Sequence, residues 1–166
     1  MEKVIDVAQY IFEKYKIITG EIIDEMKLHK LLYFSQRESF AICGKPMFRE
    51  NFRGWKYGPV CPRVRYLFTT DGMYCNNIKN ISPQNSYIVN NIIEQYGRLT
   101  SWDLSSISHK EISWINSRKG IPDGENGDVV MKIEDIEEDA KKVRPYDSVW
   151  DMYYDEFDDY PKESES

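Results

Sequence analysis

The stretch from Asp24 to Gly44 constrains the fold more than any other part of this chain, because a start signal, a helical period and a stop signal follow one another. Asp24 offers a carboxylate to the unpaired amides of a first helical turn, and Gly44 can adopt the left-handed conformation that closes a last one. Between them Leu28, Leu31, Leu32 and Ser35 recur at i, i+3, i+4 and i+7, which predicts one face of an amphipathic helix. A second distinctive segment follows, Phe52-Arg53-Gly54-Trp55-Lys56-Tyr57-Gly58-Pro59-Val60-Cys61-Pro62. Here Gly58 removes a side chain and Pro59 a backbone donor, so the pair predicts a corner in the chain.

The same punctuation organises the rest. A first helix is expected over Glu2–Thr19, with Val4, Ile5, Ala8, Ile11, Phe12 and Tyr15 on one side and Gly20 as its C-cap. Residues 45–62 lack helical periodicity and read as loop or short strand; a short helix after Pro62 can bury Val64, Leu67 and Phe68. Ser82-Pro83 is an N-cap followed by proline in the first turn, and Gly97 closes that helix. Thr100 to Asp103 fits a capping box. Ser108 to Glu111 fits another, with Ile107 and Ile112 as a hydrophobic staple. Arg118 and Lys119 suit the negative end of the helix that follows. Residues 121–131 read as loop or hairpin, Gly127–Ile133 is the best strand candidate, and a last helix begins near Glu134 with Ile136 and Ala140 inward. The expected class is mainly α, a compact domain of about six to eight helices with a minor β-hairpin or short strands.

Length and composition fit that class. A chain of 166 residues with 41% hydrophobic content can build one ordinary core. The expected organisation is a domain over residues 1–143 and an acidic, aromatic extension over 144–166. No apolar run reaches membrane-spanning length and Met1-Glu2-Lys3 opens no signal peptide, so a cytoplasmic location is expected. Cys43, Cys61 and Cys75 are scattered and form no Cys-x-x-Cys pair. They point to reduced thiols rather than a disulfide framework or zinc site, and no cofactor is expected. Charge is polarised: residues 1–80 hold 13 basic and 9 acidic side chains, residues 81–166 hold 9 and 19. The acidic end repels phosphate backbones and argues against general nucleic-acid binding.

The two early segments, Lys27-Leu28-His29-Lys30-Leu31-Leu32-Tyr33-Phe34-Ser35-Gln36 and Trp55-Lys56-Tyr57-Gly58-Pro59-Val60, resemble the Panacea domain, the SocA-like antitoxin family. A later element around Ser108-His109-Lys110-Glu111-Ile112-Ser113-Trp114 supports the resemblance, which extends over roughly residues 3–142. It implies a non-enzymatic antitoxin of a bacterial or prophage toxin–antitoxin system, neutralising a cognate toxin protein by direct binding. Delivery of the toxin to a cytoplasmic protease is a variation within the family. The family carries no catalytic residues over, only a scaffold: Leu31, Leu32, Tyr33, Trp55, Tyr57, Gly58, Pro59, His109 and Trp114.

The residues themselves offer few rivals to that reading. His29, beside Lys30, reads as a surface residue, and His109 as a structural hydrogen-bonding group following an N-cap serine. No carboxylate or cysteine stands at ligand spacing beside either one, and no cysteine lies in a nucleophile signature. An enzyme using His109 and a DNA-binding regulator of the chain's own operon remain as alternatives, the latter without a helix-turn-helix bearing a basic recognition face. Trp55 and Tyr57 lie among Arg53, Lys56, Arg63 and Arg65; the aromatics can pack the corner while the bases offer a partner-binding surface. In the tail Trp150, Tyr153, Tyr154 and Phe157 recur at i, i+3, i+4 and i+7, a stripe that can dock on its own domain or on the toxin.

Overall fold

The computed structural model describes residues 1–70 and 79–144; Cys75 and the tail stripe of Trp150, Tyr153, Tyr154 and Phe157 lie outside them. Among the described residues are seven helices and one hairpin: α1 (Val4–Thr19), α2 (Glu25–Cys43), β1 (Arg53–Trp55), β2 (Gly58–Val60), α3 (Pro62–Thr70), α4 (Pro83–Tyr96), α5 (Ser101–Ser108), α6 (Ile112–Ser117) and α7 (Ile133–Lys141). The mainly helical class with a minor antiparallel hairpin is therefore correct.

Helix ends form where local chemistry demands them. The Lys27 amide donates to Asp24 Oδ1 at 2.8 Å, and Gly44 follows the last turn at φ 69°. Ser82 accepts from the Asn85 amide, and Thr100 with Asp103 makes the reciprocal pair of a capping box.

Helix α2 is the axis of the fold, with α1, α3, α4, α5, α7 and β2 all packed against it. Its expected amphipathic character is not what the structure shows. Every residue from Lys27 to Phe40 is buried, polar positions included. A helix covered on all sides must satisfy its polar side chains internally. Lys27 Nζ donates to Tyr15 Oη at 3.1 Å and to the Gly97 carbonyl at 3.0 Å. Gln36 braces the loop after α2: its Nε2 donates to the Phe48 carbonyl, and its Oε1 accepts from the Met47 amide at 2.7 Å. Around these lie the apolar layers, Val4, Val7, Ala8 and Ile11 of α1 and Ile88, Val89, Ile92 and Ile93 of α4. Phe34 stacks on Tyr96 with centroids 4.4 Å apart, and Tyr33 meets Phe52 edge-on.

The hairpin corrects a detail of the corner. Strand register pairs Arg53 with Val60, Gly54 with Pro59 and Trp55 with Gly58, so the chain reverses at Lys56-Tyr57 and Gly58-Pro59 belongs to the returning strand. Gly58 sits at φ 121°, and a Cβ there would lie 2.6 Å from both Lys30 Cε and Ser108 Oγ. The glycine is needed for backbone shape and for the approach of α2 and α5. The Gly127–Ile133 strand candidate makes only an isolated bridge, Arg53 to Val130. The Gly54 amide donates to the Val129 carbonyl and the Met131 amide to the Phe52 carbonyl, after which α7 takes over at Ile133.

The second capping box does not form. Ser108 ends α5, its hydroxyl donating to the Ser105 carbonyl, so His109 follows a helix end rather than an N-cap. Glu111 occupies the N-cap position of α6 without a side-chain cap bond. The cap comes from α7 instead: Asp139 Oδ1 accepts from the Ile112 amide at 2.7 Å and Oδ2 from the Ser113 amide at 2.9 Å. This leaves Glu111 to reach Arg37 and Tyr33 on α2. Arg118, likewise, leaves its own helix end and donates to the carbonyls of Gly54 and Glu125.

Candidate functional site

The first half of α2, the hairpin and a loop before α7 enclose a cleft of about 810 Å³. Glu25, Met26, His29 and Lys30 supply one wall, Trp55, Lys56, Tyr57 and Val60 the opposite one, Arg65 of α3 and the loop Asn126–Asp128 the ends. Two side-chain bonds anchor the turn of the hairpin at Trp55 and Tyr57. Trp114 Nε1 donates to the Trp55 carbonyl at 2.8 Å, and Ser105 Oγ to the Tyr57 carbonyl at 2.7 Å. His109 stacks on Trp114, ring centroids 4.0 Å apart, and so backs the wall instead of facing the cleft.

The acids of the cleft are already engaged. Glu25 accepts from both Arg65 Nη1 contacts at 2.7 and 2.5 Å and lies 3.3 Å from His29 Nε2, interactions that leave its carboxyl below the usual range although burial opposes them. Asp128 accepts from Trp55 Nε1 at 3.0 Å and pairs with Arg53. Lys56 lies over the Tyr57 ring at 4.9 Å. Lys30 differs from all of these. It is 1% exposed, and its ammonium has no hydrogen-bond or ion-pair partner among the described residues. Burial pushes its pKa down to about 8, opposed by the charge of Asp24, which still leaves it mostly cationic near pH 7.

His29 requires correction as well. It is buried, 2% exposed, and not a surface residue: its Nδ1 accepts from the Cys61 amide at 3.3 Å while Nε2 faces Glu25. Burial lowers its pKa, with Lys30 and Arg65 adding to that effect and Glu25 opposing it. The amide bond to Nδ1 assigns the neutral ring a proton on Nε2.

Of the residues singled out in the sequence, the fold brings Arg53, Trp55, Lys56, Tyr57 and Arg65 to this cleft or its rim; Arg63 stands exposed on α3 beside it. Tyr57 is 46% exposed and its ring meets Trp102, itself 62% exposed, edge-on. Leu31, Leu32 and Tyr33 are wholly buried, and Gly58 and Pro59 lie buried in β2, as a scaffold requires. Sequence reasoning missed Lys30 as a cleft residue, along with Glu25 and the Asn126–Asp128 loop. Lys30 is one position from Leu31 in a helix read as one-faced, and nothing in the period distinguishes it from a solvated lysine.

Behind the cleft lies a buried polar cluster. The Tyr33 hydroxyl is 3.1 Å from Glu111 Oε2, 3.1 Å from Asp139 Oδ2 and 2.9 Å from Ser113 Oγ. Arg37 joins Glu111 to Tyr96 Oη. Burial, then the neighbouring carboxylates, push the Tyr33 hydroxyl well above its ordinary pKa, so it remains a donor. This cluster ties α2, α6 and α7 together and is closed to ligands. Among the described residues no group of histidine, cysteine and carboxylate side chains could hold a metal ion, and no helix is long and apolar enough to cross a membrane.

A buried central helix, a hairpin clamped to it and a cleft between them make up the part of the domain that its family shares. Residues 28–115, from the first turn of α2 into α6, match the family described as "Antitoxin SocA-like, Panacea domain", and the chain belongs to this family. A curated relative is the protein named Antitoxin SocA from Caulobacter vibrioides (strain NA1000 / CB15N), 31% identical over 103 residues, an alignment covering 52% of this chain and 55% of the relative. The chain thus spans about half the length of the curated relative it matches. No solved structure matches it.

Proposed function

We propose that this protein is an antitoxin that neutralises a cognate toxin protein by direct binding, and that the toxin engages the surface formed by Arg53, Trp55, Lys56, Tyr57, Arg63 and Arg65. Membership of the SocA-like antitoxin family supports the role. The observation that carries the location is the hairpin tip: Tyr57, with Trp102 beside it, presents aromatic surface to solvent, with Lys56 over its ring and Arg63 exposed on the helix that follows the hairpin. Exposed aromatics beside arginine and lysine have the composition of an interface centre, and the bases without a carboxylate partner among the described residues, Lys56 and Arg63, favour encounter with an acidic partner.

The test is co-expression with the toxin encoded in the adjacent reading frame. The wild-type chain should restore growth and co-purify with that toxin. Tyr57→Ala combined with Arg63→Glu should lose both properties while keeping the helical circular-dichroism spectrum, since neither side chain is buried. Full neutralisation by this double variant would remove the hairpin surface from the interface, and failure of the wild type against the neighbouring gene product would refute the antitoxin reading for that pair.

A further inference from the structure

Lys30 is an electrostatic anomaly. A lysine buried to 1% exposure with no bonded counter-charge is costly, because most of the water around the side chain has been removed and the ammonium is left with only the cleft to face. Each carboxylate that could compensate is committed elsewhere: Glu25 to Arg65 and His29, Asp128 to Trp55 and Arg53, and Asp24 to the amide of Lys27 and the hydroxyl of Ser101. Lys30 also forms part of the lining of an open cleft of about 810 Å³, a size typical of small-molecule sites. Part of the remaining lining is aromatic and apolar, supplied by Trp55, Tyr57, Met26 and Val60 beside the paired charges already described.

We propose that this cleft is a binding site for a small aromatic monocarboxylate, its carboxylate set against Lys30 and its planar body against Trp55 and Tyr57. A single negative charge matches the one base of the lining without a carboxylate or ring contact among the described residues, since Arg65 is paired with Glu25, Asp128 with Arg53, and Lys56 lies over the Tyr57 ring. An unmade ion pair in a desolvated site selects strongly for a charged group over its neutral isostere, since the neutral ligand leaves the ammonium uncompensated. This site goes beyond the antitoxin role and does not depend on it: the two share Trp55 and Tyr57, but ligand binding is read on the isolated chain and turns on Lys30, which is no part of the toxin surface.

The full chain, titrated by calorimetry and two-dimensional NMR, should bind N-acetyl-L-tryptophan saturably with a submillimolar Kd, with shifts centred on residues 25–30, 55–60 and 126–128. The uncharged N-acetyl-L-tryptophanamide should bind at least roughly tenfold more weakly. Lys30→Met should erase the preference for the acid, while Tyr57→Ala should weaken acid and amide alike. Absence of saturable binding, equal affinity for acid and amide, or shifts lying elsewhere would overturn the proposal, as would tighter binding of phenyl phosphate than of the carboxylate. The comparison of acid with amide on the wild-type protein holds whether or not Lys30→Met folds.

Discussion

Asp139 is the residue whose removal should say most about how this domain is assembled. It lies on α7, is 3% exposed, and its two oxygens cap α6 through the Ile112 and Ser113 amides while Oδ2 also meets the Tyr33 hydroxyl. Asp139→Ala leaves two helix-terminal amides without partners. Hydrogen bonds to a charged group contribute about 1.5–3 kcal/mol each, and loss of a helix cap costs about 0.5–2 kcal/mol, so a destabilisation of about 3–4 kcal/mol is expected. Tyr33 softens the loss, because its hydroxyl retains Ser113 and Glu111. Against a total stability of about 5–15 kcal/mol for a typical domain, this is a large fraction. With a urea m-value near 2 kcal/mol/M, the unfolding midpoint should fall by roughly 1.5–2 M. Glu138→Ala, which breaks only an exposed pair with Lys141, is the control and should leave the midpoint almost unmoved. If Asp139→Ala shifts the midpoint no further than that control, the long-range cap is not what holds α6.

Two further perturbations probe close packing and buried charge. A Cβ at Gly54 would lie 1.8 Å from Ser117 Oγ and 2.8 Å from Ser117 Cβ, so Gly54→Ala should cost at least about 1–3 kcal/mol, and Ser117→Gly should recover part of it in a double-mutant cycle of chemical denaturation. Glu38 is buried with Oε1 unbonded, and burial raises its pKa from 4.5 to about 7, only partly offset by Arg37. The folded state therefore holds the proton more tightly than the unfolded chain: the contribution is intact below pH 4.5, declines as pH rises, and is lost above pH 7. Glu38→Gln should accordingly match wild type near pH 4.5 but exceed it by about 2–3 kcal/mol at pH 8; a difference independent of pH would contradict the assignment.

What could be read from the sequence was what depends on neighbours a few residues apart. The cap of Asp24 on Lys27 and the box of Thr100 with Asp103 each close over three residues, so residue type and spacing suffice to find them. The same holds for α7, whose Ile136 and Ala140 lie one turn apart. The Ser108 to Glu111 box had equally good spacing and did not form. Its Glu111 found a buried arginine on α2, and a carboxylate 27 positions later took the amide of Ile112. No local rule can rank a bond to the next turn against one to another helix.

The cleft follows the same division. Trp55, Lys56 and Tyr57 could be singled out because aromatics interleaved with bases at a glycine-rich turn are distinctive in any context. The partners Lys30, Glu25 and Asp128 could not, because a lysine acquires a lowered pKa and an unmet charge only when other elements exclude water from it. Sequence alone determined most helix ends and the polarised charge, which rest on backbone capping and composition, and its particular motifs carried the family resemblance. Tertiary structure decided that α2 is covered on every side, that the hairpin closes over Lys30, and that Asp139 caps a distant helix. Burial is a property of what surrounds a residue, and those surroundings are assembled from segments tens of residues apart.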